Sequence, residues 1–385
     1  MRLAQFICSY LWILFAALCP SLQAAEKYAA IEIGGSNVKF VRANIENEDR
    51  KIRLIEVGDS KVANPGLAAD LGTERKFNTK TVEATAEIVS SMIKQLVEEH
   101  GVPAEHVVVV GSSGIADVAN RQVLENAVFE STGRKMEFIT SETEVLFTLL
   151  GVVPTEKMFE ATMVDIGSAN TKWGHLVPSD KDIRDSMLSA NIPFGTKSLE
   201  STIRGKVGRF AEDDKFMNES KARRKEIAEQ IKKRTSASTI QTQPNFYVSG
   251  GAFWALVTLI KPETAKEGYV RLTVDDFRRF DTKLTFSGEQ LFKVDLNAIP
   301  DEETRARAAD DLRSLRLVFD AEQIIAGGQI LLALADALNW DDPDVNVYFA
   351  RNGYKAWIAG YLKEYALQQS KELRAAASPA GAVKQ

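Results

Sequence analysis

Two decapeptides constrain this chain more than anything else in it. Residues 31–40 read IEIGGSNVKF, and residues 164–173 read VDIGSANTKW. Each runs β-branched residue, acid, Ile, Gly, two small residues, Asn, one further residue, Lys and an aromatic. The acids, Glu32 and Asp165, lie 133 residues apart, about the size of one domain. A duplicated strand–turn–strand that sets an acid beside a Gly-rich turn predicts two related domains facing each other. The ligand expected between the turns is a phosphate.

A chain of 385 residues has room for two such domains and a substantial core. Its formal net charge of −5 argues against a general nucleic-acid binder. The first two dozen residues read differently from the rest. Arg2 precedes an apolar run from Phe6 to Leu18, then Pro20 and the exit Leu22-Gln23-Ala24-Ala25. A membrane-spanning helix needs roughly 20 apolar residues, and this run is shorter. The pattern predicts a secretory signal peptide over residues 1–24, hence a periplasmic or secreted protein with no stable membrane span after cleavage. Both cysteines, Cys8 and Cys19, fall inside it, so a mature chain would carry no disulfide and no cysteine metal site. His100, His106 and His175 have no zinc-site spacing.

Strands are expected at 28–33, 38–44 and 52–57, then a helix over 78–100 whose Val82, Ala86, Val89, Ile93, Leu96 and Val97 recur at helical spacing. A strand at 106–110, a helix near 120–132, a strand at 136–139 and a helix at 142–150 complete a first α/β unit. The second begins with a strand at 162–166, followed by a charged helical segment from 204 to 234. A strand at 246–248, an apolar helix at 253–260, an apolar run at 323–338, a strand at 345–349 and a helix at 354–376 follow. Residues 262–311 read as an insertion with its own short helix. The domains expected are 25–157 and 158–353, with 354–385 as a C-terminal helix and tail.

The turns carry the chemistry. Gly34 and Gly35 let backbone approach a ligand, and successive amides of such a turn, with Ser36, form a nest for phosphate oxygens. Asn37 and Lys39 leave the same face of a strand and supply a hydrogen-bond donor and a point charge. Gly167, Ser168, Asn170 and Thr171 repeat this in the second turn. Glu32 and Asp165, at the ends of the preceding strands, are the candidate ligands of a divalent cation, Mg²⁺ in the first instance. Ser112 and Ser113 follow another apolar strand. Gly250 and Gly251 precede a helix whose N-terminus favours an anion. Ligands collect at the carboxyl ends of strands in open α/β sheets, where all four loops lie. The basic clusters Arg223-Arg224-Lys225 and Lys232-Lys233-Arg234 are interrupted by acids and read as a solvated helical face.

This arrangement resembles the superfamily of actin, sugar kinases and the large heat-shock ATPases. Within it, it is most similar to the exopolyphosphatase and guanosine pentaphosphate phosphatase family. The resemblance runs from Ala29-Ala30-Ile31-Glu32 through 107–120, 138–152 and 164–174, then Phe194-Gly195-Thr196-Lys197-Ser198-Leu199-Glu200, 248–252 and Ala326-Gly327-Gly328-Gln329-Ile330-Leu331. It implies an α/β fold of two actin-like (ribonuclease H-like) domains, with mixed sheets facing an interdomain phosphate-binding cleft. It also implies that Ser141-Glu142-Thr143-Glu144 aligns with the family's signature, which makes Glu144 the carboxylate that orients the attacking water. Glu142 takes that place if the register is shifted. Four features depart from the family pattern. Glu32 stands for Asp, Ser168-Ala169-Asn170 for glycines, and Ala116 for an Arg, leaving Lys39, Lys172 or Arg121 to supply that charge. The late glycine and acidic signature appears only as Arg351-Asn352-Gly353-Tyr354.

The function expected is release of terminal phosphate from polyphosphate, or cleavage of another phosphoanhydride, assisted by Mg²⁺. A homodimer is one assembly open to such a protein. Two alternatives remain at this stage. One is a glucokinase-like sugar kinase, whose opening residues 32–39 also resemble. The other is a non-catalytic phosphate or nucleotide sensor that kept the cleft.

Overall fold

The computed structural model describes residues 25–48, 51–57, 62–70, 75–179, 183–208, 212–238, 240 and 243–377. The predicted signal peptide and the tail beyond residue 377 lie outside them.

The duplication seen in two decapeptides extends to two whole sheets. The first contains β1 (Glu26–Ile33), β2 (Val38–Glu48), β3 (Lys51–Val57), β4 (Val62–Ala63), β5 (Val107–Gly111) and β6 (Met136–Phe138). Its order is β3-β2-β1-β5-β6, with β4 on β2. The second contains β7 (Ala161–Ile166), β8 (Thr171–Leu176), β9 (Met187–Ile192), β10 (Asn245–Gly250), β11 (Tyr269–Leu272) and β12 (Asn346–Ala350), in the order β11-β12-β10-β7-β8-β9. Matching β1 to β7, β2 to β8, β3 to β9, β5 to β10 and β6 to β12 gives one order in both. The strand senses also agree. The first three strands of each set form an antiparallel meander, and the next two add in parallel.

Parallel neighbours need crossovers, which helices supply. Helix α1 (Thr79–Glu98) starts at Asn78, whose side chain accepts the Thr81 amide, and buries Val82, Ala86, Val89 and Leu96 as their spacing predicts. Helix α2 (Arg121–Thr132) stops at Gly133, which takes the left-handed conformation. Two helices then exchange lobes. Helix α3 (Ser141–Val152) follows the first sheet, yet its Val145, Leu149 and Val152 pack with Ala161, Met163 and Leu176 of the second.

The second lobe's longer helices are α4 (Thr196–Val207), α5 (Asp213–Ala237), α6 (Gly251–Ile260), α7 (Val274–Lys283), α8 (Glu302–Val318) and α9 (Ala321–Ala337). Last comes α10 (Gly353–Ala377), which crosses back and packs Trp357, Ile358 and Leu362 against Tyr28, Ala30 and Val41 of the first sheet. Helices α3 and α10 meet through small residues, since a Cβ on Gly151 would sit 2.7 Å from that of Ala356. The apolar run of α9 is buried throughout from Ile330 to Leu334, each large side chain contributing about 1.5–3 kcal/mol.

Three expectations change in detail. The segment expected as an insertion, 262–311, is built into the lobe, because Tyr269-Val270-Arg271-Leu272 alternates exposed and buried residues and joins the sheet edge beside β12. The charged segment 204–234 is divided by Gly208, at φ 98°, between the end of α4 and the start of α5. Within it, Arg223 pairs with Glu219 and Glu226, and Arg224 with Asp281 and Asp336. Strand β9 went unpredicted, since Met187-Leu188-Ser189-Ala190-Asn191-Ile192 shows no clean alternation. Among the described residues no single helix is long and apolar enough to cross a membrane.

Candidate functional site

The repeated acid and lysine are partners across a hairpin. Glu32 stands directly opposite Lys39 in the β1–β2 register, and Asp165 directly opposite Lys172 in β7–β8. Each turn is closed in the same way, by Gly34 N–H donating to Asn37 O (2.8 Å) and by Gly167 N–H donating to Asn170 O (3.0 Å). Each lysine also reaches the first turn of the helix received from the other lobe. Lys39 Nζ donates to the Tyr354 carbonyl of α10 at 3.1 Å, and Lys172 Nζ lies 2.9 Å from Glu144 Oε1 of α3.

The second hairpin makes the tighter cluster. Lys172 Nζ donates to Asp165 Oδ2 at 2.6 Å, and Ser249 Oγ donates to Asp165 Oδ1 at 2.6 Å. Glu144 Oε2 accepts the Ser113 amide at 3.1 Å and the Ser113 hydroxyl at 2.6 Å. Asn170 Nδ2 donates to that same hydroxyl oxygen at 3.0 Å, which ties the second turn to the loop after β5. Lys172 is 1% and Glu144 5% exposed, so these charges interact across little water. Thr140 caps α3 by accepting the Thr143 amide, which fixes the first turn that carries Glu144.

Titration behaviour separates the two hairpins. Burial opposes the Lys172 ammonium, but Asp165 and Glu144 outweigh it and hold the lysine protonated well above its ordinary range. Burial likewise pushes the Asp165 carboxyl up, yet Lys172 and the Ser249 hydroxyl prevail and leave it below its ordinary value. Glu32 behaves in the opposite way, because burial raises it more than Lys39 lowers it. Its pair is less well made. Lys39 Nζ is 2.8 Å from Glu32 Oε2, but that oxygen has no aligned hydrogen bond of its own.

The turn backbones are used unequally. The carbonyls of the second turn are capped by α4, with Thr196 N–H on Gly167 O and Lys197 and Ser198 N–H on Ser168 O, all 3.0 Å. Gly195 is required there, since a Cβ would lie 2.4 Å from Gly167 O. The amides of α4 are thereby consumed by protein. The amides of Gly35, Ser36 and Asn37 and those of Ser168, Ala169 and Asn170 donate to no acceptor among the described residues, and the buried Ser36 hydroxyl has no partner. These are the groups left for a phosphate.

The remaining expected site residues fall into two groups. Gly34, Gly35, Ser36, Asn37, Lys39, Ser112, Ser113, Gly167, Ser168 and Asn170 line the junction between the lobes. There Gly114 lies so close to the second turn that a Cβ on it would sit 2.9 Å from that of Ala169. Thr171, Gly250 and Gly251 are engaged elsewhere. Thr171 Oγ1 donates to the Phe194 carbonyl at 2.7 Å, Gly250 at φ 102° packs on the Ile166 carbonyl, and Gly251 faces Phe319. Arg121, considered as a substitute phosphate clamp, donates to the Ala116 carbonyl at 2.8 Å instead. Gly34, Gly35 and Gly167 do not take positive φ. The hydrogen bond from Ser249 and the Glu144–Lys172 pair were missed; the seven-residue separation across a four-residue turn predicts only the cross-strand partners Glu32–Lys39 and Asp165–Lys172.

A divalent cation on Asp165 and Glu32 does not fit this arrangement. Both Asp165 oxygens are hydrogen-bonded, by Lys172 and Ser249, and Glu32 faces Lys39. Among the described residues no group of three or more His, Cys, Asp or Glu side chains is placed to hold a metal. Two ammonium groups neutralise the acids where an ion was expected.

Comparison with known proteins agrees with this topology. The sequence matches the Ppx/GppA phosphatase family over residues 59–353, well over half of the chain. The Ppx/GppA family member of Aquifex aeolicus superposes with a TM-score of 0.60 at 19% identity, covering 89% of this chain and 98% of that one. An exopolyphosphatase from Cytophaga hutchinsonii gives 0.55 at 15% identity, covering 86% and 98%. At such identities the likeness bears on the fold. Retrograde regulation protein 2 of Saccharomyces cerevisiae is 27% identical over 120 residues, 31% of this chain but only 20% of the yeast protein.

Proposed function

The chain belongs to the Ppx/GppA phosphatase family, and we propose that it is an exported phosphoanhydride hydrolase that releases terminal phosphate from polyphosphate. The observation that carries this reading is the placement of Glu144. It is buried where the second turn meets the loop after β5 and fixed on one oxygen by Ser113, with Lys172 as the one contact on the other among the described residues. A carboxylate oxygen accepts two hydrogen bonds, so Oε1 keeps one lone pair for a water molecule. Glu144 orients that water and takes its proton as the oxygen attacks the terminal phosphorus. The bridging P–O bond breaks, and the shortened chain leaves with the electron pair. The amides of the two turns and the Lys39 and Lys172 ammonium groups face the charge that develops. Entry of the substrate parts the lobes along the Asn170–Ser113 contact.

A second reading has its own observation. Lys172 already neutralises Glu144 and Asp165, which suits a protein that binds phosphate without turning it over. Family membership favours both readings over a sugar kinase. Purified protein lacking residues 1–24 is offered polyphosphate, ATP with several hexoses, and nucleotides in a binding assay. Orthophosphate release from polyphosphate is the expected result. Binding without release selects the second reading, and hexose phosphorylation overturns both. Export is tested by fractionating cells: protein in the cytosol with its first 24 residues attached contradicts it.

A further inference from the structure

A hydrolytic site for polyphosphate needs positive charge to offset its ligand, and in this chain that charge is already built in. Lys172 Nζ lies between two carboxylates from different elements, β7 and α3, 2.6 Å from Asp165 Oδ2 and 2.9 Å from Glu144 Oε1. Its side chain is buried, and its position follows from backbone register, because residue 172 is paired with residue 165 in the sheet. A divalent ion bridging the same two carboxylates would need the volume the ammonium fills. It would also have to displace Ser249 from Asp165, or Ser113 from Glu144, to gain further oxygens. Hard divalent cations take six or more oxygen ligands, and an adjacent fixed ammonium repels them.

We propose that Lys172 is the resident cation of this site, standing where a divalent metal would bridge Asp165 and Glu144, so that the site takes its phosphate ligand without a divalent ion. The inference uses the site described under the proposed function but not its chemistry, since it concerns which cation the two carboxylates hold. Lys39 has no such role. Its ammonium faces one carboxylate and a backbone carbonyl, and it bridges no pair of acids.

The test uses Mn²⁺ as the probe, followed by water-proton relaxation and by calorimetry, alone and with inorganic phosphate. Wild type is expected to show no Mn²⁺ site that Asp165→Asn removes. Lys172→Met leaves two carboxylates facing each other without a counter-charge. It is expected to bind Mn²⁺ at least about ten-fold more tightly than wild type, and the gain is expected to vanish in Lys172→Met/Asp165→Asn. Wild-type Mn²⁺ binding that is lost in Asp165→Asn overturns the proposal. So does a folded Lys172→Met protein with no gain. If Lys172→Met does not fold, the comparison of wild type with Asp165→Asn still decides the matter. None of these readouts requires turnover, so failure here is distinguishable from failure of the hydrolase reading.

Discussion

Lys172 and Glu144 form a buried ion pair, 2.9 Å from Nζ to Oε1, between the second hairpin and the helix that the second sheet receives from the first α/β unit. The lysine belongs to the hairpin of the second sheet and the glutamate to a helix that follows the first. The contact exists only because α3 crosses between lobes, and it brings the candidate catalytic carboxylate to the second turn. Lys39 and the Tyr354 carbonyl repeat the arrangement with α10, but with a neutral acceptor. A duplicated framework thus carries an unduplicated charge pattern.

Removing the ammonium exposes the cost of that burial. Lys172→Met is expected to lose about 3–5 kcal/mol of stability, the usual penalty for leaving buried charges without a partner. Urea unfolding gives the value. Adding Asp165→Asn to it should recover part of the loss, and strictly additive effects would show that the pair is not coupled.

The Asn170–Ser113 contact is predicted to hold the lobes together. Asn170→Ala is expected to cost about 1 kcal/mol in global stability. It should increase hydrogen exchange selectively in 111–116 and 167–171. Uniform exchange across both lobes would show that this contact does not govern closure.

Gly250 is predicted to be irreplaceable for structural reasons. At φ 102°, a Cβ would lie 2.1 Å from the Ile166 carbonyl oxygen. Gly250→Ala is expected to destabilise by more than about 2 kcal/mol, combining positive-φ strain with displacement of β7. Equal melting temperatures for variant and wild type would refute this.

Glu200 should give stability a characteristic pH slope. Burial, then the nearby Asp320, push its carboxyl up to about 7, against the pull of Arg204 and Lys197. Because the folded form holds this proton more tightly than the unfolded chain, its contribution favours folding at low pH. That contribution is lost as pH rises from the ordinary carboxylate range through about 7. Glu200→Gln should therefore flatten the fall in stability between about pH 5 and pH 7. An unchanged slope would place the titration elsewhere.

Much of the fold was legible because hydrophobic period and turn chemistry are local signals. Val82, Ala86 and Val89 mark one face of a helix, and Ile31 to Ile33 ending at Gly34 mark a strand. The matching β1–β2 and β7–β8 hairpins follow from the two decapeptides, whereas the shared order of the remaining strands does not. The lobe exchange by α3 and α10 was not legible. Val145 and Leu149 look the same to the sequence whichever sheet they cover. The metal expectation left out the ion pairs, though the spacing that pairs Glu32 with Lys39 and Asp165 with Lys172 was present in the chain. What spacing did not show was Glu144 approaching Lys172 from the other lobe.

Glu144, where the second turn meets the loop after β5, is proposed to activate the water that attacks phosphate. Glu144→Gln keeps the shape of the side chain and a possible acceptor for Ser113 while removing the proton-accepting charge. Orthophosphate release from polyphosphate should fall by about a hundred-fold or more relative to wild type, with polyphosphate binding retained. Release that continues at the wild-type rate in folded Glu144→Gln protein would contradict the account.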